Sequence, residues 1–112
     1  MSLALALRIP KGNGKRSFEA TICEKEAIGF ALSHKQREIA VKGLRLVLLD
    51  QVDQKTAVAI LSHIEEQEEK GRFDIYFTDV ERKHYIDIRF PKGYDAHKGC
   101  TVIEWDDYFL FG

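Results

Sequence analysis

Ser33-His34-Lys35-Gln36-Arg37-Glu38-Ile39-Ala40-Val41-Lys42-Gly43-Leu44-Arg45-Leu46-Val47-Leu48-Leu49-Asp50 is the stretch on which the fold turns. It opens with Ser33 three residues before Gln36. This is the spacing of a capping box, in which hydroxyl and side-chain amide satisfy two orphan main-chain N–H groups at a helix start. A helix over 34–49 places Lys35, Glu38, Lys42 and Arg45 on one side and Ala40, Leu44, Val47 and Leu48 on the other. Gly43 in its middle costs about 1 kcal/mol relative to alanine. The rival is a pair of strands, 38–41 and 44–49, turning at Lys42-Gly43, because an apolar run of this length fits both periods. The expectation is the helix.

The next segment extends the same reading. Asp53 can cap a second helix over 54–70, with Gly71 as its stop. Ala57, Ile60, Leu61 and Ile64 form the apolar stripe, and Glu65, Glu66, Glu68 and Glu69 a wet face. Carboxylates at a helix C-terminus oppose the macrodipole, a small penalty with no reason visible in the sequence. The two helices have the outline of a helix–turn–helix, but four glutamates where phosphate would lie argue against that use.

Outward from this centre the chain reads as strands. Leu3, Leu5, Leu7 and Ile9 alternate over 3–9. Pro10 to Lys15, with Gly12, Asn13 and Gly14, is a turn leading to a second strand over 17–23, a hairpin. A third strand is expected over 27–32, since Gly29 and Phe30 are poor helix formers. Downstream, Phe73, Ile75 and Phe77 alternate with Asp74, Tyr76 and Thr78. Asp79 to Lys83 is a polar turn, and a partner strand follows over 85–90. A loop over 91–99 and a last strand over 101–105 complete the order β-β-β-α-α-β-β-β. This is one α+β domain over 1–112: a mostly antiparallel sheet with two helices packed on it.

Composition bounds the function. The 112 residues hold 17 Lys and Arg against 18 Asp and Glu, and 45% are apolar. Such a chain is neither disordered nor a histone-like polycation. No apolar run reaches the roughly 18 residues of a membrane span. Met1 to Leu7 lacks the basic start of a signal peptide and its apolar run ends at Arg8. Cys23 and Cys100 are too few for a disulfide framework and match no C-x-x-C pattern, which reads as two reduced thiols in a cytoplasmic protein.

Motifs that carry chemistry are sparse. The nucleophile elbow, H-E-x-x-H and EF-hand patterns are absent. His63 with Glu66, His84 with Asp87, and Asp95 with His97 are isolated short pairs, and two ligands do not make a metal site. Lys11-Gly12-Asn13-Gly14-Lys15-Arg16 has glycines and cations suited to a phosphate, yet it joins two strands and has no helix dipole behind it. No cofactor is expected.

Charge and the tail say more. Residues 1–50 hold 9 Lys and Arg against 5 Asp and Glu, whereas residues 51–112 hold 8 against 13. Lys11, Lys15, Arg16, Lys35, Arg37, Lys42 and Arg45 form a candidate nucleic-acid face. Trp105, Tyr108, Phe109 and Phe111 concentrate ring surface at the end of the chain, of the kinds enriched at interface hot spots. The first expectation is therefore a non-enzymatic module that binds a protein partner through these four residues and self-associates. A nucleic-acid domain is the second. A small-ligand or enzymatic domain using His84, Asp87, Asp95 or His97 is the third.

Overall fold

A computed structural model describes residues 2–9, 17–90 and 99–108. Strands β1 (Leu3–Arg8), β2 (Glu26–Ala31), β3 (Arg45–Asp50), β4 (Lys55–Glu66), β5 (Arg72–Lys83) and β6 (Cys100–Glu104) form one sheet in the order β2-β5-β4-β3-β1-β6. Two short helices, α1 (Phe18–Glu24) and α2 (His34–Ile39), lie between the first three strands. The fold is α+β and the sheet mostly antiparallel; β1 and β3 alone run parallel.

The element order departs from the expected one. The capping box at Ser33 is formed: Gln36 N donates to Ser33 Oγ at 3.1 Å and Ser33 N donates to Gln36 Oε1 at 2.9 Å. The helix it starts stops at Ile39, and Gly43 adopts a φ of +98° in the turn before β3. Residues 45–50 then enter the sheet, so the long helix over 34–49 gives way to a short helix and a strand. The predicted second helix over 54–70 is β4. Asp53 caps no helix; instead the Asp50 carboxylate accepts from Val52 N and Asp53 N, both at 3.0 Å, and closes the β3–β4 turn. Gly71, at φ +86°, is a turn residue of the β4–β5 hairpin.

Two further expectations change. The expected strand over 17–23 is replaced by α1, with Ser17 as its N-cap, so the expected first hairpin does not form. Ser17 Oγ accepts from Ala20 N at 3.0 Å, and Phe18, Thr21 and Ile22 turn one side of the helix inward. At the other end, β5 runs unbroken through the polar residues read as a turn, and residues 84–90 are not a strand.

Burial explains why period failed. β1 pairs with β3 on one side and β6 on the other, and Ala4 to Leu7 and Leu46 to Leu49 are all 0% exposed. Strands buried on both faces read as continuous apolar runs, without the alternation of half-buried ones. One sheet face carries Leu5, Leu7, Leu46, Leu48, Ala59, Leu61, Ile75 and Phe77 and is joined by Phe18, Ile22 and Ile39 from the helices. The opposite face carries Ala4, Ala6, Val47, Leu49 and Ile103, joined by Ile88, Tyr85, Ile86 and Phe90 from 84–90 and by Trp105 and Tyr108. Hydrogen bonds pin this second cover: Ile86 N donates to Thr56 Oγ1 at 3.1 Å, and Gln51 Nε2 to the Ile88 carbonyl at 3.3 Å.

Candidate functional site

The second cover spans only part of its face. Over β3, β1 and β6 the apolar residues are enclosed; on the outer parts of β4, β5 and β2, His63, Glu65, Thr78 and Ile28 are exposed among the described residues. Register places the side chains of this open half. Ile64 on β4 and Phe73, Ile75 and Phe77 on β5 belong to the helix-covered face, so His63, Glu65, Asp74, Tyr76 and Thr78 project from the other. Glu26 of β2 pairs with Tyr76 in the ladder, and Ile28, 43% exposed, follows it.

His63 and Tyr76, opposite each other across β4 and β5, stack with ring centroids 4.5 Å apart and planes 7° from parallel. The His63 imidazole is held at its edges, with Ser62 Oγ at 3.2 Å from Nδ1 and Glu65 Oε1 at 3.7 Å from Nε2. Desolvation by its surroundings, then the Glu65 and Glu26 carboxylates, push the Tyr76 hydroxyl up to about 12. It therefore stays a neutral donor across the physiological range, turned toward carboxylates. At the margin, β2 bulges between Ala27 and Phe30. Gly29 takes a φ of +77°, its N–H donates to Asp74 Oδ1 at 3.1 Å, and its carbonyl accepts from Arg72 Nη1 at 2.8 Å. Gln67 Nε2 also donates to Asp74 Oδ1, at 2.7 Å.

Where the open half meets the covered one lies a shallow groove of about 270 Å³, lined by Arg45, Val58, Ala59, Ile60, Asp79, Glu81 and Trp105. The Arg45 guanidinium lies over the Trp105 ring, 4.6 Å from its centroid. Glu81 on the far wall pairs with Lys83 at 3.1 Å. The groove is smaller than a typical small-ligand pocket. It shares β4 and β5 with the His63–Tyr76 stack.

The residues singled out in the sequence scatter. Trp105 is a core residue, 5% exposed, with an edge on the groove, and Tyr108 packs half-buried beside it; Phe109 and Phe111 lie outside the described residues. Lys11, Lys15, Arg16, Asp95 and His97 also lie outside them. Lys35 and Arg37 are exposed on α2, Arg37 lying 5.6 Å over the Phe73 ring on the helix-covered side, and Lys42 is exposed in the turn. Arg45 is on the opposite face, so it does not share one surface with α2. His84 and Asp87 are exposed on the 84–90 segment. His63 and Glu66, three apart on a strand rather than a helix, point to opposite faces. Glu66 Oε2 accepts from Gly71 N at 3.1 Å.

Cys23 is exposed and Cys100 buried, and neither is in a disulfide. Burial pushes the Cys100 thiol up to about 12, far from nucleophilic character. Among the described residues no three His, Cys, Asp or Glu side chains are grouped to hold a metal, and no helix is long and apolar enough to cross a membrane. The stacked pair was missed because residue 63 was assigned to a helix. The alternation in 73–78, which puts Tyr76 on the polar face of a strand, was half of its signal. No family model matches this chain, and comparison with curated proteins and with solved structures finds no similar one.

Proposed function

We propose that this chain is a non-enzymatic interaction module that binds a basic protein segment on its uncovered half-sheet and self-associates. The observation that carries the reading is the charge and ring content of that half. Glu26, Glu65, Asp74, Asp79 and Glu81 surround the His63–Tyr76 stack and the Trp105 groove. Three cations border these five carboxylates: Arg45 on Trp105, Arg72 on the Gly29 carbonyl and Lys83 paired with Glu81. Tyr and Trp supply large contact area with little flexibility to lose, and a rim of carboxylates selects a partner of opposite charge. Trp105 contributes from the groove wall rather than as a free tail residue.

The test is an NMR titration of the intact protein with Lys- and Arg-rich peptides, with acidic peptides and short oligonucleotides as controls. Basic peptides are expected to move the amide signals of residues 63–65 and 74–78, with affinity falling as salt rises, and Tyr76→Ala is expected to weaken binding about tenfold or more, as hot-spot truncations do. Perturbation confined to Lys35, Arg37 and Lys42, or produced only by oligonucleotides, would overturn the reading.

A further inference from the structure

We infer that the outer edge of β6 pairs antiparallel with β6 of a second copy of this chain, joining two sheets into one. The inference rests on the proposal that the module self-associates and names the surface that does it.

The sheet has two edges, and they are built differently. The β2 edge is defended: a bulge bends it at Gly29, whose main-chain groups are taken by Asp74 and Arg72. Bulges of this kind keep an edge from templating another strand. The β6 edge is protected less: of its outward main-chain groups only the Cys100 carbonyl is taken, by Gln36 Nε2. Cys100-Thr101-Val102-Ile103-Glu104 holds no proline, no lysine and no bulge, and it pairs with β1 in unbroken register from Leu3↔Glu104 to Leu7↔Cys100.

The direction of its free groups follows from one bond. Trp105 N donates to the Ser2 carbonyl at 2.7 Å, so residues 2 and 105 are a hydrogen-bonded pair of the antiparallel ladder. Such pairs alternate, so Thr101 and Ile103 also turn their N–H and C=O toward β1, and Cys100, Val102 and Glu104 turn theirs outward. The Cys100 carbonyl bears this out: it accepts from Gln36 Nε2, at 3.1 Å, outside the sheet. Among the described residues nothing pairs with the main chain of Val102 or Glu104. Unpaired groups of this kind at a regular edge are a template for another strand.

The strand is also complementary to itself. A two-fold axis at Val102 sets Val102 opposite Val102 of the second copy, Thr101 opposite Ile103, and Cys100 opposite Glu104. β-branched side chains then face one another on both sheet faces, and the one charged residue never meets its own copy.

The experiment is sedimentation equilibrium of the intact protein from about 1 µM to several hundred µM. A five-residue edge contact is at the small end of interfaces, so the average mass is expected to rise from monomer toward dimer within this range. Val102→Pro removes an outward N–H and none of the β1 ladder, and is expected to hold the mass at monomer while circular dichroism is unchanged. If that variant unfolds, Val102→Cys in a Cys23→Ser background decides: mild oxidation is expected to link copies through residue 102. A wild-type mass that never leaves monomer overturns self-association altogether. A dimer that survives a folded Val102→Pro, or a Val102→Cys chain that does not cross-link although dimeric, overturns the β6 contact alone.

Discussion

The inner strands β1 and β3 and the outer end of the β4–β5 hairpin belong to one sheet but obey different rules. The inner pair is enclosed on both faces, and its sequence is apolar throughout. The outer end is covered on one face, and alternates: Phe73, Ile75 and Phe77 inward, Asp74, Tyr76 and Thr78 outward. The difference teaches where function is placed. A strand sealed on both sides presents nothing, whereas a strand sealed on one side has a free face on which rings and carboxylates carry no burial penalty. The candidate surface is the part of the sheet that the described covering segments leave open.

The comparison breaks most visibly under truncation. Leu48, fully buried between β1 and β4, is expected to lose about 2–5 kcal/mol on Leu48→Ala, the range for a large aliphatic side chain removed from a packed core. Thr78→Ala, exposed on the open half, is expected to stay within about 0.5 kcal/mol. Urea unfolding of both measures the contrast, and equal losses would mean that the open half is covered after all.

Gly43 tests the turn that separates helix from strand. Its φ of +98° suits glycine, and a Cβ there would meet nothing within 4 Å, so the effect of Gly43→Ala is backbone strain alone. The expected loss is about 1–2 kcal/mol, read as a lowered thermal midpoint. In the helix first expected over 34–49, the same change would have stabilised the protein.

The smallest effect sits at the helix-covered face. Glu19 of α1 bonds Arg82 Nη1 at 3.0 Å and Lys55 Nζ at 3.2 Å, tying the helix to β5 and β4. The Arg82 hydrogen bond first, then that from Lys55, holds its carboxyl near 2, below the usual 4.5. Because the folded form binds its proton less readily than the unfolded chain, the pair stabilises the fold above about pH 4.5. That contribution fades as pH falls toward about 2. Glu19→Gln is therefore expected to lower stability slightly at neutral pH and not at about pH 2, which flattens the acid limb; the loss is small because the pair is half exposed and screened by salt. A mutant with an unaltered acid limb would show that the tie contributes nothing.

Much of the local structure was legible in the sequence. The first strand, the strand after Glu26, the capping box at Ser33, the alternation of 73–78 and the last strand are all where local pattern puts them. The failures were also marked locally. Gly43 inside a helix and four glutamates at a helix C-terminus were each a conflict between the assigned element and the residue. Such conflicts count against an assignment beyond their individual cost. Both vanish once 45–50 and 55–66 are strands: Gly43 turns the chain, and Glu65, Glu66, Glu68 and Glu69 line a hairpin end with no helix dipole to oppose. The stacked His63–Tyr76 pair was out of reach because it joins two strands whose pairing depends on that reassignment.

Short-range chemistry thus determined the caps, the turn glycines and the one-sided strands, because each depends on neighbours within a few residues. Tertiary structure alone decided whether the apolar runs 46–49 and 57–61 would be helix or strand. A segment wrapped on both faces carries no period to read, and its conformation is set by the strands that come to lie alongside it. Among the described residues, the open half of the sheet follows from the same contest, since it is what 84–90 and 105–108 do not reach.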